Sequence, residues 1–169
     1  VITTYCEIVI NGWFAGDAGS GSGQYVDHLL GHLADAAPGV RLSLLVPQGR
    51  KPSQGSEAEL ETAIAAASAR WPHVDLVRMR LPPLPRQVAK LWWEQVSVPA
   101  AARRLGADVL WVPYWAAPWW QPVPTVVTIH DLIPLLLEPY RGGLLQRAYT
   151  MLVSRTARRA AAVITVSEA

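Results

Sequence analysis

A chain of 169 residues with 51% hydrophobic and 17% charged residues has room for one packed domain, or for one half of a two-domain protein, and argues against disorder as its general state. Its net charge of +2 is too small for a protein that tracks a phosphate backbone, so nucleic acid is not an expected partner. Cys6 stands alone, which excludes an internal disulfide, leaves no zinc-type ligand spacing and fits a reducing cytoplasm.

In chain order, "EIVIN" (Glu7 to Asn11) is a short β-branched run ending in polar residues and glycine, which predicts a first strand. The loop "GWFAGDAGSGSG" follows. Val26, Leu29, Leu30 and Leu33 then recur at helical spacing and predict a helix from Gln24 to about Ala37, stopped by Pro38 and Gly39. "VRLSLLVP" (Val40 to Pro47) reads as the second strand. Ser56 with Glu59 makes a capping-box signature for an Ala-rich helix ending near Trp71, and "VDLVRMR" (Val74 to Arg80) fits the third strand. After "LPPLP", Val88, Leu91, Trp92 and Val96 share a helical face, and Pro99 is expected to kink or restart that helix before Gly106. Trp92 and Trp93 cannot both face the core of one helix, so one of them is expected at an interface or partly exposed. "ADVLWVPY" and "PTVVTIHD" predict strands four and five. A helix from about Leu144 to Ala161 and a last strand "AVITVS" complete the chain.

Strands alternating with helices predict an α/β fold, a Rossmann-like parallel sheet with helices on both faces. The near-continuous apolar runs "VVTI" and "VITV" suit strands buried on both sides. No secretion signal or spanning helix is expected: a basic stretch followed by an apolar one is missing at the start, and the long apolar region Val109 to Leu137 is broken by Pro113, Pro118, Pro122, Pro124 and Pro134. Arg141, Arg147, Arg155, Arg158 and Arg159 fall between Pro139 and Ser167 with no acidic residue. That pattern suits either a solvated helix face or an anionic membrane surface.

In an open parallel sheet, ligands bind beyond the carboxyl ends of the strands. Strand five delivers His130 and Asp131 to that edge, and the first loop brings Gly19, Gly21 and Gly23 to it ahead of a helix, where backbone N–H groups can approach an anion. Gln24 stands where a dinucleotide fingerprint requires its third glycine, and Gln48 follows strand two in place of a ribose-binding acid, so NAD is disfavoured. His130 could instead be a histidine satisfied by a backbone carbonyl, and Asp131 a turn former before Ile133 and Pro134. Trp111 is expected in the core. Trp115, Trp119 and Trp120, in a proline-rich loop at the same edge, are candidates for contact with sugar rings or lipid. A hydrolase is the weakest alternative, because no G-x-S-x-G elbow accompanies the histidine.

Taken in order, "IVINGWFAG", "GSGQYVDHLLGHLA", "LWWEQVSVPAAARRLGADVLWVPYWAAP", "VPTVVTIHDLIPLLLEPY" and "RRAAAVITVSEA" resemble the N-terminal domain of family 4 (group 1) glycosyltransferases, which is one half of a GT-B fold. The likeness spans nearly the whole chain, and HDLIP and ITVSE are its most specific parts. It implies retaining transfer of a hexose from a nucleotide-diphosphate sugar to a hydroxyl of a glycan or lipid-linked acceptor, with no cofactor and generally no required metal. Residues 1–169 would be the acceptor-side domain, partnered by a C-terminal domain that carries most of the nucleotide-sugar site. The resemblance sets Gly21 and Gly23 near the donor diphosphate and His130 against the transferred sugar. Asp131 would position the turn or bond His130. Trp13, Tyr25, Tyr114 and Trp115 are acceptor-side candidates, and Ser167 would stand where the chain begins to cross to the second domain. A separated half is expected to turn over little, and the cytoplasm, with possible contact at the inner membrane face, is the expected setting. The alternative is a stand-alone module that binds a nucleotide, a phosphate or a carbohydrate.

Overall fold

The computed structural model describes residues 5–50, 55–137, 139 and 142–166, so Ser167 lies outside the described residues. β1 (Cys6–Asn11), β2 (Val40–Gln48), β3 (Val74–Arg80), β4 (Val109–Val112), β5 (Thr125–Ile129) and β6 (Ala162–Thr165) form one sheet in the order β3-β2-β1-β4-β5-β6. Every pairing is parallel. Ile8 aligns with Leu42 on one side and Val109 on the other, which puts β1 at the centre. The chain reverses its direction of travel between β1 and β4, and that reversal opens a crevice at the carboxyl edge of the sheet.

Alternation along the strands divides the core between two faces. Ile10, Leu42, Leu44 and Val46 point to the side covered by α1 (Gly21–Ala36) and α2 (Glu57–Ser68), where Val26, Leu30, Leu60 and Ile64 pack on them. Val9, Leu45, Leu110, Val112 and Val127 point to the opposite side. There they meet a π-helical stretch (Trp93–Ser97) that continues α3 (Arg86–Trp92), α4 (Val98–Arg104) and Ala157 of α6 (Leu144–Ala157). α5 (Ile133–Leu136) is a single turn after β5.

Local chemistry sets the helix boundaries. Ser56 and Glu59 form the expected reciprocal capping box at α2. α1 starts three residues earlier than Gln24, because Ser20 is its N-cap and its hydroxyl accepts from the Gly23 N–H at 3.0 Å. Gly21 and Gly23 are therefore in the first helical turn and not in the preceding loop. Pro99 falls in the first turn of α4, where the α-helix resumes after the π-helical stretch, as expected. It lacks an N–H and would press on the carbonyl four residues back. The helix widens just before it, with the Val98 N–H bonded five residues back to Trp93.

Trp93 and Glu94 open the π-helical stretch, and both are fully buried. The shared face Val88, Leu91, Trp92 and Val96 is then the outward one, each residue at least 40% exposed. The expectation that one of the paired tryptophans stands outside is met by Trp92. The "VITV" run is not buried on both sides: β6 is an edge strand among the described residues, and Val163 and Val166 are exposed. α6 ends at Ala157, not Ala161. Trp111 is partly buried against the core and donates its indole N–H to Thr128.

Candidate functional site

β1 ends at Asn11, a fully buried amide at the mouth of the crevice. Its Oδ1 accepts from the Trp13 backbone N–H at 3.1 Å and the Trp93 indole N–H at 2.8 Å, and its Nδ2 donates to the Tyr114 hydroxyl at 2.9 Å. One side chain thus ties the end of β1 to the π-helical stretch and to the loop after β4. The next residue, Gly12, passes so close to β2 that a Cβ there would stand 2.5 Å from the Leu45 carbonyl oxygen.

A cleft of about 500 Å³ opens on this edge, lined by Phe14 from the loop after β1, Gly21 and Ser22 from α1, Lys90 from α3, Tyr114 and Trp115 after β4, His130 and Asp131 after β5, and Tyr149 and Thr150 from α6. Six segments of the chain meet in it.

His130 is held by two contacts. Its Nε2 lies 2.9 Å from the Pro113 carbonyl oxygen. A carbonyl only accepts, so Nε2 is the donor in this contact. The Tyr25 ring meets the imidazole edge-on, with centroids 4.8 Å apart and planes at 78°. Asp131 shapes the turn: its Oδ1 accepts from the Ile133 N–H at 3.0 Å.

Beside the histidine lies a polar cluster. Glu94, with no exposure, receives Lys90 Nζ on one carboxylate oxygen and the Tyr149 hydroxyl on the other, the latter at 2.9 Å. Lys90 Nζ also donates to the Tyr149 oxygen at 3.1 Å. The ammonium stands 5.1 Å from the Tyr114 ring centroid, 5.2 Å from that of Tyr149 and 5.9 Å from that of Phe14. Burial, and then the neighbouring Glu94 carboxylate, push the Tyr149 phenol far above the usual tyrosine range; burial does the same to Tyr114, with Glu94 adding to it.

The structure brings Gly21, Tyr114, Trp115, His130 and Asp131 into one cleft and sets Tyr25 directly behind the histidine. It places Gly23 and Trp13 elsewhere. Gly23 is buried under the loop, where a Cβ would be 2.0 Å from the Asp17 carbonyl oxygen, so it seats α1 and does not line the cleft. Trp13 is 1% exposed and packs on Trp93, with ring centroids 6.2 Å apart. It borders a neighbouring cavity of about 430 Å³, together with Gln48, Arg50 and Arg86. Arg50 there forms a buried 3.2 Å ion pair with Asp17, and burial pulls its guanidinium down while Asp17 holds it up.

Lys90, Glu94 and Tyr149 were not among the expected site residues. The i, i+4 spacing of Lys90 and Glu94 in "KLWWE" was a visible signal for a helical ion pair. Tyr149 reaches them only because α6 crosses the same face. Among the described residues, no group of three or more His, Cys, Asp and Glu is placed to hold a metal ion.

A model of Glycosyltransferase Family 4 matches residues 19–169, which includes the cleft-lining residues from Gly21 onward. No curated protein and no solved structure matches the chain.

Proposed function

The chain belongs to glycosyltransferase family 4, and from that membership we propose that it is the N-terminal, acceptor-side domain of a retaining enzyme. The reaction moves a hexose from a nucleotide-diphosphate sugar to a hydroxyl of a glycan or lipid-linked acceptor. The observation that supports this reading most is the convergence of Gly21, Trp115, His130 and Asp131 on one cleft at the carboxyl edge of the sheet.

Each residue has a role that its geometry suits. Gly21 and Ser22 bring the first turn of α1 to the cleft wall, where the positive end of the helix favours the donor diphosphate. Gly23 serves that site indirectly, by letting α1 sit against the loop. His130 spends Nε2 on Pro113 and offers Nδ1 to a hydroxyl of the transferred sugar. It orients the ring and steadies charge while the bond to the diphosphate oxygen breaks and the bond to the acceptor oxygen forms with the same anomeric configuration. Tyr25 and Asp131 fix the histidine and its turn. Tyr114 and Trp115 wall the sugar, and Trp13 acts on the acceptor side through the neighbouring cavity.

A C-terminal domain supplies the opposite wall and most of the nucleotide site. Without it the chain turns over little, because alignment and exclusion of water need both walls. The protein also rests against an anionic, cytoplasmic membrane face. α6 exposes Leu144, Leu145 and Met151 beside Arg147, Arg155 and Arg158, and exposed Trp119 stands next to them under Arg159. Apolar and cationic groups so mixed suit anionic headgroups. Among the described residues no helix is long and apolar enough to cross a membrane.

The test is to incubate the native protein with a panel of nucleotide-diphosphate hexoses and acceptors, following release of nucleoside diphosphate and the anomeric configuration of the product by NMR. Donor-dependent release with retained configuration is expected. An inverted product would reject the retaining assignment. Binding without turnover for every donor would leave a carbohydrate- or nucleotide-binding module.

A further inference from the structure

Among the described residues Lys90 is the lysine or arginine that lines the cleft, and its surroundings limit what it can bind. Its charge is already matched by Glu94, which is buried and, among the described residues, has no other cation as a hydrogen-bond partner. Two of its three N–H groups are taken by Glu94 and the Tyr149 oxygen. Its side chain is still 27% exposed and lines the cleft. What remains is one directed N–H with little net charge behind it, framed by the rings of Phe14, Tyr114 and Tyr149. A matched ion pair recruits phosphate weakly. A donor among aromatic faces, with Thr150, Gln146 and Ser22 nearby on the same lining, fits a ring that is apolar on one face and rimmed with hydroxyls.

We propose that Lys90 is a specificity residue for a neutral hexose: its third N–H donates to a ring hydroxyl, and Glu94 and Tyr149 act as positioning residues that aim it. Glu94 stands one helical turn after Lys90, at the start of the π-helical stretch, and is fully buried with the Lys90 ammonium on its carboxylate. The inference deepens the reading of the cleft as a sugar site and adds the class of sugar and the residue that reads it.

Lys51 and Lys90 are the lysines of the chain, so labelling lysine with carbon-13 at Cε gives a resonance for each, assigned with a Lys51→Arg variant. The 169-residue chain is titrated with the methyl glycosides of glucose, mannose and galactose, and separately with glucuronate and inorganic phosphate. The Lys90 resonance is expected to shift saturably with at least one neutral glycoside, with Kd of about 1–50 mM for so small a ligand, and not with phosphate. Lys90→Met alone strands a buried carboxylate, so the companion variant is Lys90→Met with Glu94→Gln, which removes both charges together. It should keep the native amide spectrum and lose saturable binding at the tryptophan indoles, whereas Lys90→Arg retains part of it. Binding with the Lys90 resonance unmoved, binding of phosphate alone, or no saturable shift with any glycoside would each overturn the proposal. Hexose binding at Lys90 in a native protein that transfers nothing would refute the transfer reading alone. Full transfer by the double variant of the native protein would refute this inference alone.

Discussion

Replacing Gly23 by alanine is expected to unseat the first turn of α1, and replacing Gly21 is not. A Cβ at residue 23 would stand 2.0 Å from the Asp17 carbonyl oxygen, 2.7 Å from its carbon and 2.9 Å from the Phe14 carbonyl oxygen. Ordinary contact begins near 3.4 Å, so the loop must retreat by about 1.4 Å. It is poorly placed to do so. The Asp17 carbonyl accepts from both the backbone N–H and the hydroxyl of Ser20, each at 3.0 Å, and the Asp17 carboxylate is pinned by Arg50. Overpacking costs about 1–3 kcal/mol and disturbing the Ser20 cap about 1 kcal/mol more, while alanine returns at most about 1 kcal/mol of helix propensity. The net loss is about 2 kcal/mol, which lowers Tm by about 4–8 °C in a chain of this size. At residue 21 a Cβ meets nothing within 4 Å, so Gly21→Ala should be neutral or stabilising by up to about 1 kcal/mol. Urea and thermal unfolding followed by far-UV circular dichroism and tryptophan fluorescence decide the matter. A Gly23→Ala midpoint equal to wild type, or a Gly21→Ala loss as large as that of Gly23→Ala, would refute the packing argument.

Three further outcomes follow from the same contacts. Tyr114 and Tyr149 have folded pKa values above that of an unfolded tyrosine, so the native state holds protons that the unfolded chain releases. The stability they contribute is full below about pH 10 and is lost as pH rises beyond it. Urea midpoints should begin to fall there, less steeply in Tyr149→Phe, and a flat wild-type profile would contradict the burial argument. Asn11→Ala strands the Trp93 indole N–H and should cost about 2–3 kcal/mol, measured by urea unfolding; a loss no larger than that of an exposed-site substitution would contradict it. The protein should co-sediment with phosphatidylglycerol vesicles and not with phosphatidylcholine vesicles. Replacing Arg147, Arg155 and Arg158 together by glutamine should weaken that binding by about tenfold or more, and equal binding to both kinds of vesicle would count against the docking face.

Much of the fold was legible because each element carries its own local signal. The Val74–Arg80 strand and the Ser56/Glu59 box depend on neighbours in sequence and appear as expected. Where the reading failed, a nonlocal or backbone effect decided. Val88, Leu91, Trp92 and Val96 do share one helical face, but a stripe alone does not say which way it points, and this one faces outward while Ala89, Trp93 and Glu94 are buried. The Gly-rich stretch looked like a loop because glycine disfavours helix, whereas the Ser20 cap and the close approach to Asp17 carry Gly21 and Gly23 into the helical turn. At the cleft, the position of His130 and Asp131 could be read from the end of strand five. Their partners could not: the Pro113 carbonyl that holds His130 and the Tyr149 hydroxyl that completes the Glu94 cluster arrive from crossovers that no local pattern encodes.

The measurement that tests the central claim most directly is turnover of the native protein carrying His130→Ala, at saturating donor and acceptor, with its unfolding midpoint measured alongside. The account predicts a fall of at least about tenfold in turnover, with the folded state retained. Turnover equal to wild type would contradict the assignment of the His130 wall to the sugar in transfer.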